Sequence, residues 1–158
     1  MPGRTLVVPG GGVFAEQVRI EQRRMCFDDV AAHRMAILAM QQMAVLFNAL
    51  KSNFPLFSRP TELDRLPGAA IWAPDWVELD SAGIESSWDV TSDSLAAWLA
   101  LQVEADELML VKAAPVAEGD TLEQLQQQGI VDDALRRVVA SARYKISVIN
   151  QHRFVSTA

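Results

Sequence analysis

The chain has 158 residues and a mass of 17.4 kDa, enough for one domain, 1–158, burying about two-thirds of its unfolded surface. Half of the residues are hydrophobic and 22% are charged, with a net charge of −6 and a pI near 4.8. No concentrated basic run is present to hold a phosphate backbone, which argues against nucleic acid as a partner. The single cysteine, Cys26, excludes an internal disulfide and any multi-cysteine metal site.

Thr5 to Val8 is a short β-branched and apolar run, read as a strand buried on both faces. Pro9 to Gly12 breaks it, and Val13 to Met25 then has helical spacing. Asp28 or Asp29 caps a second helix, "VAAHRMAILAMQQMAVLFNAL". From Met35 to Met40 this helix is apolar nearly all round and is read as central and buried. No apolar run is read as approaching the ~18 residues of a membrane span. The N-terminus lacks the basic, apolar, small-residue order of a signal peptide, so the chain reads as cytoplasmic, without a membrane partner.

Residues 51–69 are a polar connector with prolines at 55, 60 and 67, holding a helical turn near "PTELDRL". "AIWAP" (70–74) and "WVELD" (76–80) read as strands separated by a proline. A loop follows, then a helix "SLAAWLALQVEA" capped by Ser92 or Asp93. "ELMLVKAAPV" is a strand ending at Lys112; "GDTLEQLQQQG", capped by Asp120, and "IVDDALRRVVASAR" are short helices; "KISVIN" is a closing strand. Strands alternating with helices predict an α/β fold with a mostly parallel central sheet flanked by helices.

Ligands of such sheets sit beyond the carboxyl ends of the strands. Three places qualify. Gly10-Gly11-Gly12 allows a sharp turn with free amides aimed at an anion, or simply a tight strand-to-helix junction. "SWDVTSDSLAAW" concentrates Asp89, Thr91, Ser92, Asp93 and Ser94 at a helix start. Its two carboxylates four positions apart suit an amine, a lysine or a metal, and equally a solvated loop with a cap. Lys112 could reach nucleotide phosphates as a point charge, or lie at a sheet edge. His33 sits one turn into the second helix, as a ligand or a hydrogen-bonded core residue. The second histidine, His152, is far off near the C-terminus, which with one cysteine argues against a zinc site.

In this order, "VVPGGGVFAEQVR", "AHRMAILAM", "WDVTSDSLAAWLA" and "ELMLVKAAPV" resemble the amino acid kinase superfamily, which includes acetylglutamate, uridylate and carbamate kinases. Within it they are most similar to the branch of the aminomethylfuran-methyl-phosphate kinase of methanofuran synthesis. The resemblance spans nearly all of residues 4–150 and implies a three-layer αβα fold. It also implies an ATP- and Mg²⁺-dependent small-molecule kinase with an aminated or phosphorylated acceptor. By this resemblance Gly10, Gly11 and Gly12 line the substrate cleft, and Asp93 is the catalytic carboxylate that orients the cations. Asp89, Thr91 and Ser92 face the acceptor with His33 nearby, Asp89 serving as counter-ion to an amine. Lys112 and the loop from Ala113 to Val116 contact the nucleotide.

The superfamily begins with a Lys-x-Gly-Gly-Ser strand–loop–helix that has no counterpart after Met1-Pro2-Gly3, and "INQHRFVSTA" stops short of its usual Gly-Thr segment. A domain truncated at the N-terminus and shortened at the C-terminus is therefore expected. That leaves a non-catalytic binding or assembly subunit, as in storage-protein relatives, as the alternative function. The Met-rich apolar helix and four tryptophans predict a homo-oligomer.

Overall fold

The computed structural model describes residues 3–66 and 68–157. Met1, Pro2, Pro67 and Ala158, which the sequence reading placed in the domain and its connector, lie outside the described residues. The contacts divide the chain into two compact units, the first running to Trp88 and the second starting at Asp89.

The first unit holds strand β1 (Leu6–Val7), helices α1 (Gly12–Met25) and α2 (Asp29–Leu50), strand β2 (Leu56–Phe57), a 3₁₀ turn (Pro60–Arg65), strand β3 (Ala70–Trp72) and helix α3 (Trp76–Ser81). The strands pair in parallel in the order β1-β3-β2, with Leu6 opposite Ala70 and Leu56 opposite Ile71. The fully apolar β3 is the central, completely buried strand. β1 is an edge strand, and its Leu6 and Val7 are half-buried rather than enclosed on both faces. β2 is absent from the sequence reading because two residues carry no periodicity; it exists by its backbone bonds to β3.

Asp28 caps α2 by accepting from the Ala31 amide at 2.8 Å, satisfying one of the donors a helix start leaves open. α1 and α2 pack together as a helical hairpin, and α2 also packs on β3. Two expectations for α2 are corrected. One face is buried through Ala32, His33, Ile37, Met40 and Ala44, while Met35, Leu38, Val45 and Leu46 are 40–59% exposed, so the helix is not enclosed all round. At 22 residues, with an 18-residue stretch of mean hydropathy 1.3, it is also long and apolar enough to cross a membrane, by length and composition alone.

"WVELD" is helical, not a strand. Asp75, following Pro74, accepts from the Val77 amide at 2.9 Å and starts α3. Half-buried Trp76 and fully buried Leu79 then lie three residues apart on one face, while Val77 is 50% exposed.

The second unit holds α4 (Ser92–Gln102), β4 (Glu107–Lys112), α5 (Leu122–Gln127), α6 (Leu135–Val139), β5 (Lys145–Asn150) and α7 (Gln151–Thr157). β4 and β5 pair in parallel without a bulge, Glu107 opposite Lys145 through Lys112 opposite Asn150. α4 buries Leu95, Ala97 and Leu99 against α6 and β4, and the Tyr144 hydroxyl donates to the Ala97 carbonyl at 3.0 Å. Thr121, not Asp120, caps α5, in a reciprocal box with Gln124; Asp120 accepts from the Ala117 amide instead. The fold class is α/β with parallel strands in open sheets flanked by helices, as the alternation of elements predicts.

Candidate functional site

A dense polar cluster of the second unit surrounds the start of α4. The sequence offers Ser92 or Asp93 as its cap, but the structure uses neither. Thr91 is the N-cap residue and makes no capping bond with its own side chain. The capping acceptor is Asp132, 41 positions away, just ahead of α6. Its carboxylate accepts from the Thr91 amide at 2.8 Å, the Thr91 hydroxyl at 2.9 Å and the Ser94 amide at 3.0 Å. It also accepts from the Ser94 hydroxyl, and from the Leu135 amide at 2.9 Å. One carboxylate thereby holds the first turns of both α4 and α6.

With its helix capped by another residue, Asp93 points elsewhere. Lys112, the last residue of β4, donates to both of its oxygens, at 2.6 and 2.5 Å. The two side chains keep only 19% and 10% of their surface. The Asp132 amide adds a longer bond to Asp93 Oδ2 at 3.3 Å. Burial pushes the Asp93 carboxyl above the ordinary carboxylate range, against the opposing pull of the Lys112 charge and hydrogen bonds. The pair thus places an ammonium at the carboxyl end of a parallel strand, where phosphate-binding loops are built.

The remaining residues singled out from the sequence are distributed as follows. Asp89 is exposed, and its carbonyl accepts from the Ala134 amide at 3.0 Å. Ser92 opens α4 and is half-buried. Ala113 follows Lys112, and the Asn150 side-chain amide donates to its carbonyl at 3.3 Å and to that of Ala114 at 2.8 Å, tying the loop to the end of β5. Val116 borders a cavity of about 470 Å³ along the β4–β5 sheet, lined also by Met109, Asp120, Ser147, Asn150 and Arg153.

In the first unit, Gly10 is exposed at the end of the turn, and Gly11 is the N-cap of α1. A side chain on Gly11 would collide with Ala15 Cβ. Gly12 has a φ of +54° and would bring a Cβ to 3.0 Å from Met43 Sδ of α2. Crowding by the helix's own first turn accounts for Gly11, and packing on α2 with a left-handed backbone accounts for Gly12. His33 is 3% exposed, with Nδ1 3.0 Å from the Ser87 carbonyl oxygen, and burial lowers its pKa below the ordinary value. Beside it, Trp88 Nε1 donates to Gln22 at 2.7 Å and the Arg19 guanidinium lies 3.9 Å above the Trp88 ring. These contacts fix the end of the segment that precedes the second unit.

Asp132 is the residue that sequence reasoning missed as part of a site. The doublet Asp132-Asp133 before "ALRR" signals a helix start, and Leu135 confirms that local role. Nothing local signals that the same carboxylate reaches α4.

No protein-family model matches the chain. It is 26% identical over 110 residues to the [5-(aminomethyl)furan-3-yl]methyl phosphate kinase of Methanocaldococcus jannaschii. That match covers 68% of this chain and 50% of that protein, so the chain spans about half the length of the curated relative. Among solved structures, the uridylate kinase of Archaeoglobus fulgidus superposes with a TM-score of 0.67 at 16% identity, over 94% of this chain and 76% of that one. The latter likeness shows a shared fold, that of the amino acid kinases.

Proposed function

We propose that this amino acid kinase-like chain serves an ATP-dependent transfer of the γ-phosphoryl group to a small acceptor, aminated or phosphorylated as in the aminomethylfuran relative. The observation that carries this reading is the Lys112–Asp93 pair where β4 ends beside the start of α4. Phosphoryl transfer asks for positioning and positive charge around a loose transition state rather than for a covalent nucleophile. Lys112 supplies that charge, and Asp93 holds the ammonium in one place while water is largely excluded from both. The loop from Ala113 to Val116, anchored by Asn150, would border the nucleotide.

The residues present fit a nucleotide phosphate through Lys112. For Mg²⁺, which keeps waters and phosphate oxygens and needs only one or two carboxylates, Asp93 is the protein group in reach of that charge. Bound there, the ion would neutralise phosphate charge. Asp89, Thr91 and Ser92 of the second unit are proposed on the acceptor side. In this reading Thr91 contributes through its backbone, since its hydroxyl is committed to Asp132. The protein is further proposed to be a cytoplasmic homo-oligomer.

Calorimetric titration of Mg·ATP and Mg·ADP tests the reading. Lys112→Ala should weaken binding about 10- to 100-fold, the loss of a charge-assisted contact. Asp93→Ala should weaken it less, by releasing the lysine without removing it. A folded wild-type protein that binds no nucleotide at millimolar concentration would refute the kinase reading and leave the binding or assembly subunit in its place.

A further inference from the structure

We infer that Asp132 is a positioning residue: by capping α4 from outside, it keeps Asp93 turned toward Lys112. The role matters for function only if the pair is the phosphate end of a kinase, so this part rests on the reading above.

A helix start leaves its first amides without intrahelical partners, and an acidic side chain in the first turn is drawn to them and to the positive end of the helix dipole. α4 has such a side chain in Asp93, its second residue, and its N-cap Thr91 does not cap. Left alone, Asp93 would satisfy those amides itself. Asp132 removes that competition. It occupies the Thr91 and Ser94 amides and takes the Thr91 and Ser94 hydroxyls as well. With Leu135 as a fifth donor, its roughly four lone-pair sites are saturated, so it does not compete for Lys112 either. Its own amide also reaches Asp93 Oδ2, at 3.3 Å. Two carboxylates at one helix end are thereby divided between two tasks, one capping and one holding the cation.

The whole chain contains three lysines, Lys51, Lys112 and Lys145, which makes the pair readable without any activity. Limiting acetic anhydride is applied to the intact protein, and acetylation of each lysine is counted by peptide mass spectrometry. The exposed Lys51 and Lys145 serve as internal standards. Lys112 of the wild type should be the slowest of the three. In Asp132→Ala its rate relative to Lys51 should rise about tenfold, as the ammonium loses the charge-assisted bonds to Asp93 that hold it away from the reagent. Asp132→Asn, which keeps an acceptor oxygen, should recover part of the protection.

The increase must also run through Asp93. In an Asp93→Ala background, adding Asp132→Ala should change the Lys112 rate by less than about twofold. A lower melting temperature with unchanged Lys112 labelling would make Asp132 purely structural and overturn the inference. So would a full tenfold effect that persists without Asp93. If Asp132→Ala does not fold, Ser94→Ala and Thr91→Val each delete one of its donors and should raise Lys112 labelling in the same direction; no rise in either refutes the role. Protection of Lys112 by Mg·ADP is read in parallel. Its absence counts against the kinase reading while leaving the Asp132 effect to stand or fall by itself.

Discussion

His33 carries a charge question in a place where charge is costly. It is 3% exposed, and burial lowers its pKa from the ordinary 6.5. The unfolded imidazole therefore takes up a proton at a higher pH than the folded one. Its contribution to stability is present above about 6.5 and is lost as the pH falls through the folded value. Thermal melts between pH 7.5 and 5 should show a decline that is steeper in the wild type than in His33→Gln. Parallel curves would mean that the imidazole charges equally easily in both states. At this same scale Asp93 and Lys112 were both singled out from the sequence, 19 positions apart, and the structure joins them in a two-oxygen ion pair. What could not be read was the partner that frees Asp93. A capping preference is local, whereas Asp132 reaches α4 only because α6 packs on it.

Among the elements, α2 is the one whose residues divide most sharply by environment. Ile37 is 1% exposed and its neighbour Leu38 is 42% exposed. Urea unfolding should give a loss of about 2–5 kcal/mol for Ile37→Ala, the transfer cost plus the cavity left behind. Leu38→Ala in the monomer should stay within about 0.5 kcal/mol, as for a surface site. Equal losses would contradict the burial of one face. Composition alone gives both residues the same weight, which is why the helix read as buried throughout and why its exposed stripe had to be found in three dimensions. α3 is the converse case. Trp and Val in "WVELD" favour a strand on propensity, yet the Asp75 cap and the burial of Leu79 turn the segment into a helix. β4 and β5, with six residues each, were legible because their length lets local pattern and sheet pairing agree.

For the molecule as a whole, the proposal of self-association has a visible basis in the apolar stripe of α2, where Met35, Leu38, Val45 and Leu46 keep 40–59% of their surface. Sedimentation equilibrium at micromolar concentration should give a mass above the 17.4 kDa of one chain, and Leu38→Glu with Leu46→Glu should bring it down to that value. A wild-type protein that sediments as a monomer refutes the association. The net charge of −6, the parallel α/β class, the Asp28 cap of α2 and the Asp93 and Lys112 positions followed from the sequence itself. Each depends on composition or on interactions within a few residues along the chain. Tertiary structure alone decided the two-residue strand β2, the half-exposed face of α2, the burial of His33 and the capping of α4 by Asp132. Those depend on hydrogen bonds and solvent exclusion between segments tens of residues apart, which no local pattern encodes.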